Sequence, residues 1–315
     1  MKSYCTKLSK GNCFFIMLAV VGILFILWIR SKKHTFAKIT EFEIIGGTPY
    51  LVCEGLLYRY EEDNWQQAEH TGEIKQLVSA EYLCGLDADG KVFYEGNLEN
   101  DGIEPLTSAY YISQAQELLK INETKPFTYI SGDITGECMA LLEDGKVLYS
   151  FQGEYYPIQL EEKPISLSGS YILTEQGNVY YIDKNVESVE NVKLKSIYSE
   201  GNIIAIDASS NAEEGLGITK EGNVVSWGGS QNWTGLKVDD WKDVVIVEQD
   251  FHAAVGLTKQ GKVLYKGASQ AKTEAGMTEI QSWRNVMAVN IVVDIFGTTI
   301  YGVKADGSLL IKKLD

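Results

Sequence analysis

Seven times along this chain a glycine stands at the same point of the same short pattern, and this recurrence limits the fold more than any other feature. The glycines are Gly55, Gly90, Gly145, Gly177, Gly222, Gly261 and Gly307. Four residues before them stand Leu51, Leu86, Leu141, Leu173, Ile218, Leu257 and Val303; two residues after them stand Leu57, Val92, Val147, Val179, Val224, Val263 and Leu309. The residue just before each glycine is always acidic or an amide: Glu54, Asp89, Asp144, Gln176, Glu221, Gln260 and Asp306. Apolar residues at period two on both sides of a polar turn describe a β-hairpin with one buried face. The glycine supplies a positive φ that other residues adopt only with strain. Five positions before the glycine, Gly85, Ala140, Gly217, Gly256 and Gly302 are small, which marks a close approach of neighbouring structure.

The glycines are spaced by 32 to 55 residues. One hairpin cannot bury its own face, so copies at a period near forty must pack on each other, as in a propeller or a β-solenoid. Seven copies suffice to close a ring, with room for three or four short strands in each. A further strand precedes each hairpin, clearest in Ile203–Ile206, Val244–Val247 and Val286–Val289. Asp240-Trp241-Lys242-Asp243 and Ser282-Trp283-Arg284-Asn285 introduce two of these strands, and their tryptophans read as packing between blades. The β-prone stretch Phe36–Ile45 is expected to pair with the last blade and close the ring. Between Gly90 and Gly145 the insertion 103–128 is the longest departure; Ser113–Leu119 within it has the form of a capped helix.

The sixth copy, VEQDFHAAVGLTKQGKVLY from Val247 to Tyr265, resembles the repeat of the regulator of chromosome condensation family. In that family a strand leads into Gly-x-x-His-x-x-Ala-Leu-Thr-x-Asp-Gly-x-Val-Tyr-x-Trp-Gly. Ala205–Gly228 is similar to it as well and ends on the matching Trp227-Gly228. The resemblance runs from about residue 48 to the C-terminus and implies an all-β, seven-bladed propeller. The short blades look more like the family's compact bacterial secreted members. His252 is the one copy of the repeat histidine, and the Gln-Leu-Gly tail of the repeat is missing throughout. Neither chromatin binding nor nucleotide exchange therefore carries over.

Ahead of the repeats, Cys13–Ile29 is an uninterrupted apolar run of 17 residues, long enough for a membrane-spanning helix. It is followed by Arg30-Ser31-Lys32-Lys33, without a small-x-small cleavage site, so it reads as a retained signal anchor in the lipid bilayer. The domains expected are a tail over 1–12, the anchor over 13–29, a basic linker over 30–38 and the propeller over 39–315. Basic residues flank the run on both sides, so orientation rests on the layout of a short tail before a large domain. That layout places the propeller outside the cytoplasm, at the cell membrane. Seven of the 28 Lys and Arg residues lie in residues 1–38, which hold no Asp or Glu. The remainder is therefore more acidic than the net charge of −15 suggests, which argues against nucleic acid as a partner.

The sequence holds no Gly-x-Ser-x-Gly, His-Glu-x-x-His or Cys-x-x-Cys motif. No metal or cofactor is expected, and Cys53 with Cys84 leaves a disulfide open. Asn122 and Asn232 head glycosylation acceptor triplets. Binding to a protein partner through a propeller face, without catalysis, is the expected function. The loop Gly228–Gly235 pairs flexible backbone with an aromatic, so Trp227, Gln231, Asn232 and Trp233 are the face candidates, together with His252. The same loop reads equally as an interblade turn with a packed tryptophan, and His252 as a hydrogen-bonding repeat residue. The alternative function is a carbohydrate-binding or polymer-cleaving propeller, which needs carboxylates or aromatics gathered at the central channel.

Overall fold

The computed structural model describes residues 35–314 apart from 69, 71, 80–82, 96–117, 133–137, 152–153, 184–191, 209–213, 229–235, 268–273 and 295–296. The expected anchor 13–29 lies outside the described residues, among which no helix is long and apolar enough to cross a membrane.

Seven antiparallel sheets follow one another along the chain, each with its strands in sequence order. Every sheet contains one of the seven glycine hairpins, and all seven glycines have positive φ, from 71° to 86°. In blade 6, Gly261 N donates to Thr258 O and Thr258 N donates to Lys262 O. This is a tight turn closed by a left-handed glycine, and blades 2, 3, 4, 5 and 7 repeat both bonds. The strand that precedes each hairpin is innermost. In chain order these inner strands are Ile39–Ile45, Ile74–Ser79, Phe127–Gly132, Pro164–Ser168, Ile203–Ala208, Val244–Asp250 and Val286–Asp294. Each packs against the next, and the seventh packs against the first, so the sheets form a ring around a channel.

Blades 1, 3 and 4 add a fourth strand outside the hairpin, whereas blades 2, 5, 6 and 7 have three among the described residues. The fourth strands are Asn64–Gln67, Glu154–Ile158 and Lys193–Tyr198. The apolar hairpin positions are the core: Leu51, Leu86, Val147, Leu173, Val179, Val263 and Val303 are fully buried. Trp241 and Trp283 sit between blades 5 and 6 and blades 6 and 7, as their matched positions imply. What approaches the small residues is an aromatic ring. A Cβ on Gly256 would lie 2.8 Å from the Trp241 indole, and one on Gly217 would lie 2.8 Å from that of Trp227.

Adjacent blades are stitched at the turns. The turn-glycine carbonyls of blades 1, 2, 4 and 5 accept the first N–H of the next inner strand, from Ile74, Phe127, Ile203 and Val244. Ring closure differs from the expectation. Ile39–Ile45 pairs with Thr48–Cys53 and is the inner strand of blade 1, with no ladder to blade 7. The first hairpin needs an inner strand like every other, and among the described residues this is the one strand ahead of it. The ring closes instead by side chains and one short link. Phe36 N donates to Ala305 O, and Trp65 Nε1 donates 2.9 Å to Gly307 O, the carbonyl that elsewhere meets the next blade's backbone. Phe36, Phe42, Leu51 and Trp65 pack there with Ala288 and Val303 of blade 7.

Part of the insertion is helical, over residues 118–124; most of the stretch expected to form a helix, Ser113–Leu119, lies outside the described residues. Leu118 packs with Leu86 and Phe127 beneath it. Asn122 is buried; its amide donates to Gly90 O and accepts from Val92 N, so this acceptor triplet is closed to a glycan in the folded chain. Cys53 is a free, buried thiol, so no disulfide joins it to Cys84.

Candidate functional site

The inner strands of all seven blades line a central channel of about 510 Å³. An inner strand presents one row of backbone N–H and C=O groups to this channel, and unsatisfied buried groups of that kind are costly. Polar side chains link every pair of neighbouring blades, and at six of the seven interfaces the link satisfies a backbone group. Leu77 N donates to Glu41 from blade 1, and Gln76 binds both Ile130 N and Ile130 O, at 3.0 and 2.7 Å. Tyr129 is hydrogen-bonded to Ser166, and Ala208 N donates to Ser168 Oγ. Asp207 accepts from Gln249 N at 2.5 Å, and Asp250 from Val293 N at 2.6 Å. Asn290 returns to blade 1, donating to Phe42 O and to Glu43.

The channel is acidic. Glu41, Glu43, Asp207, Glu248 and Asp250 line it, and no Lys, Arg or His does so among the described residues. Burial raises all five carboxyls: Glu41 and Asp207 to about 7, Glu43 to about 8, and Glu248 well above the usual carboxylate range. For Glu43 and Glu248 the neighbouring carboxylates add to burial, each charge opposing the next. The Tyr129 hydroxyl is pushed to about 12 by burial. The described residues contain no group of His, Cys, Asp and Glu spaced to hold a metal ion. This acidic lining was missed in the sequence, where carboxylates are evenly spread; only the inner-strand register gathers them.

Two sequence-derived face residues come together on the side opposite the glycine turns. Trp227 ends the third strand of blade 5, and His252 lies in the turn between inner and second strands of blade 6. Glu214 joins them: its Cα pairs with Gly228 in the ladder, and its carboxylate lies 3.4 Å from His252 Nδ1. The Trp227 ring is half-buried against Tyr171 of blade 4, with ring centroids 5.7 Å apart, and against Gly215 and Gly217. It is thus seated between blades, and its indole N–H is buried without a hydrogen-bond partner. His252 is about half exposed. Gln231, Asn232 and Trp233 lie outside the described residues.

No protein-family profile and no curated protein sequence matches the chain. Among solved structures it is similar to the CRINKLY WD40 ectodomain of the Arabidopsis thaliana receptor kinase ACR4. The TM-score is 0.54 at 13% identity, over 89% of this chain and 96% of that one. It is also similar to yeast RCC1 (Prp20) as solved with Kap60, with TM-score 0.51 at 12% identity, over 89% and 81% of the two chains. At these identities the likeness is one of fold: the chain is a β-propeller.

Proposed function

We propose that this propeller is a protein-interaction module of the chromosome-condensation-regulator type, without catalysis. In this reading residues 13–29 tie it to a membrane, with the domain on the extracytoplasmic side. The observation that carries the binding role is the use made of the channel's polar groups. Glu41, Gln76, Ser168, Asp207, Asp250 and Asn290 are engaged in holding one blade to the next, so the ring is a rigid frame with its differences on the surface. Rigid elements carrying variable loops are suited to recognition. One similar ring, yeast RCC1, is bound by the protein Kap60, which accords with this use. The face at blades 5 and 6 with Trp227 and His252, joined by the sequence-derived candidates Gln231, Asn232 and Trp233, is the first contact surface to test. Affinity purification of the full chain from solubilised membranes, beside the Trp233→Ala/His252→Ala form, is the experiment. The reading expects a stoichiometric partner that the double substitution weakens at least fivefold; undiminished recovery of every partner would remove this face from the account.

The second reading, a carbohydrate-binding or polymer-cleaving propeller, is favoured by one feature. Glu248 faces the channel with a raised carboxyl and shows no hydrogen bond among the described residues, which is what a general acid requires. Release of reducing ends from cell-surface polymer, abolished by Glu248→Gln, would establish it. No release above that of the Glu248→Gln form would dismiss it.

A further inference from the structure

Each of the seven inner strands carries a β-bulge one residue from its start. The ladder passes from Ile39 to Glu41, Ile74 to Gln76, Phe127 to Tyr129, Pro164 to Ser166, Ile203 to Ala205, Val244 to Ile246 and Val286 to Ala288. The residues left out of the ladder are Thr40, Lys75, Thr128, Ile165, Ile204, Val245 and Met287. They fall at the glycine-turn end of the inner strands, the end at which Thr40 and Val245 line the channel. A bulge re-aims a side chain, and one repeated in every blade is a feature of the design.

The seven divide into two arcs. In blades 1 to 3 the bulge residues are polar and bonded to backbone carbonyls, Lys75 to one of the next blade. Thr40 donates to Val52 O, Lys75 to Thr128 O and Thr128 to Leu141 O. In the four consecutive blades 4 to 7 they are large, apolar and exposed: Ile165 by 41%, Ile204 by 52%, Val245 by 45% and Met287 by 36%. The described residues contain only seven exposed large apolar side chains of this kind, and four of them share this arc. Exposed apolar side chains repeated at one position of consecutive blades mark a contact surface. Its rigid backbone also keeps the ordering cost of contact low. Behind the arc, Asp207 and Glu248 stand three residues further along the strands of Ile204 and Val245, roughly 10 Å deeper at about 3.3 Å per residue.

We infer that this mouth is a docking surface for an amphipathic segment of a partner protein, whose apolar side chains cover Ile165, Ile204, Val245 and Met287. Its Lys or Arg side chains reach into the channel toward Asp207 and Glu248. The lining selects the occupant: its carboxyls have no Lys, Arg or His beside them among the described residues, so a cation gains partners that ionise next to it and an acidic segment gains none. The inference rests on the reading of the ring as an interaction module and names a second surface for it, on the side away from Trp227 and His252. The raised carboxyls accord with it, since a cation supplies the missing counter-charge.

The test uses the full chain in nanodiscs of neutral lipid, with empty nanodiscs as background. Fluorescent decapeptides of alternating Leu and Lys, Leu and Glu, and Ser and Lys are titrated by anisotropy. The Leu/Lys peptide is expected to bind, with affinity at least tenfold above the other two. Ile204→Ser/Val245→Ser should weaken it at least tenfold, and Glu248→Gln several-fold with a smaller salt dependence. Both substituted residues are exposed, so an unchanged melting temperature separates lost contact from lost fold. Equal binding of Leu/Lys and Ser/Lys peptides, or indifference to the Ser substitutions, would overturn the inference. Concentration-dependent pairing of the chain, or adsorption of added neutral vesicles, if abolished by the same substitutions, would put a second copy or a bilayer on the arc and overturn it too. Loss of face binding through Trp233 and His252 leaves every one of these readouts untouched, so the two surfaces fail separately.

Discussion

Blades 1 to 3 and blades 4 to 7 bulge at the same point of the same strand, yet they present opposite chemistry there. Thr40, Lys75 and Thr128 turn back to bond carbonyls of the protein, while Ile165, Ile204, Val245 and Met287 stand in solvent. The backbone is common to all seven copies and the side chain is not. Where the copies agree, at the glycine turns and buried apolar positions, the residues hold the ring. At the bulge positions of blades 4 to 7, where they disagree, the side chains are exposed. Four exposed apolar residues on consecutive blades contribute little to the fold, and this directs attention to what covers them.

The comparison breaks first at the seam between blades 7 and 1, where the apolar arc meets the polar one. Trp65→Ala should cost about 3–5 kcal/mol in a denaturant melt, the range for large aromatic truncation in a core. It also leaves the Gly307 carbonyl without its indole donor. A loss within experimental error would mean that the ring is held elsewhere. The hairpins come next. Gly145→Ala meets nothing within 4 Å and carries only the positive-φ penalty of roughly 1–2 kcal/mol. Gly177→Ala adds a Cβ 2.8 Å from the Gly201 backbone, so it should be clearly more destabilising than Gly145→Ala in the same melt.

A channel link is expected to matter somewhat less. Gln76→Leu strands the N–H and C=O of Ile130, at about 1–3 kcal/mol for a buried group left unsatisfied. Hydrogen exchange should show the Ile130 amide losing protection before its neighbours in blade 3. A separate effect is expected from acidity. Between an ordinary value of 4.5 and about 8 the folded Glu43 holds a proton that the unfolded chain has released. Stability attributable to it must therefore fall as pH rises through that window and level off above it. Glu43→Gln should flatten this slope in denaturant midpoints measured from pH 4.5 to pH 8; an unchanged slope would exclude Glu43 as its source.

Much of the scaffold was legible because the hairpin carries its own signals. A glycine with acidic or amide residues before it, and apolar residues at fixed offsets, states the turn, the buried face and the number of copies. Trp241 and Trp283 were legible for the same reason, each lying at the matching point of successive units. The partner of Phe36–Ile45 was not, since β-propensity says that a segment is extended without saying what it lies beside. The fourth strands of blades 1, 3 and 4 lack a common pattern: Asn64–Gln67 is almost wholly polar, and its Trp65 serves the seam. The acidic channel was hidden because Glu41, Glu43, Asp207, Glu248 and Asp250 are far apart in sequence and meet only when the ring closes. Trp227 was legible as a residue of the repeat, but its seat against Tyr171 and Gly217 depends on two different blades.

The central claim is that the exposed bulge residues of blades 4 to 7 serve contact and not the fold. Ile204→Ser/Val245→Ser tests it most directly when melting temperature and Leu/Lys peptide affinity are measured on the same preparation. The account predicts a change in stability within about 0.5 kcal/mol, as for surface substitutions, with affinity lower by a factor of ten or more. A large drop in melting temperature with affinity intact would contradict it.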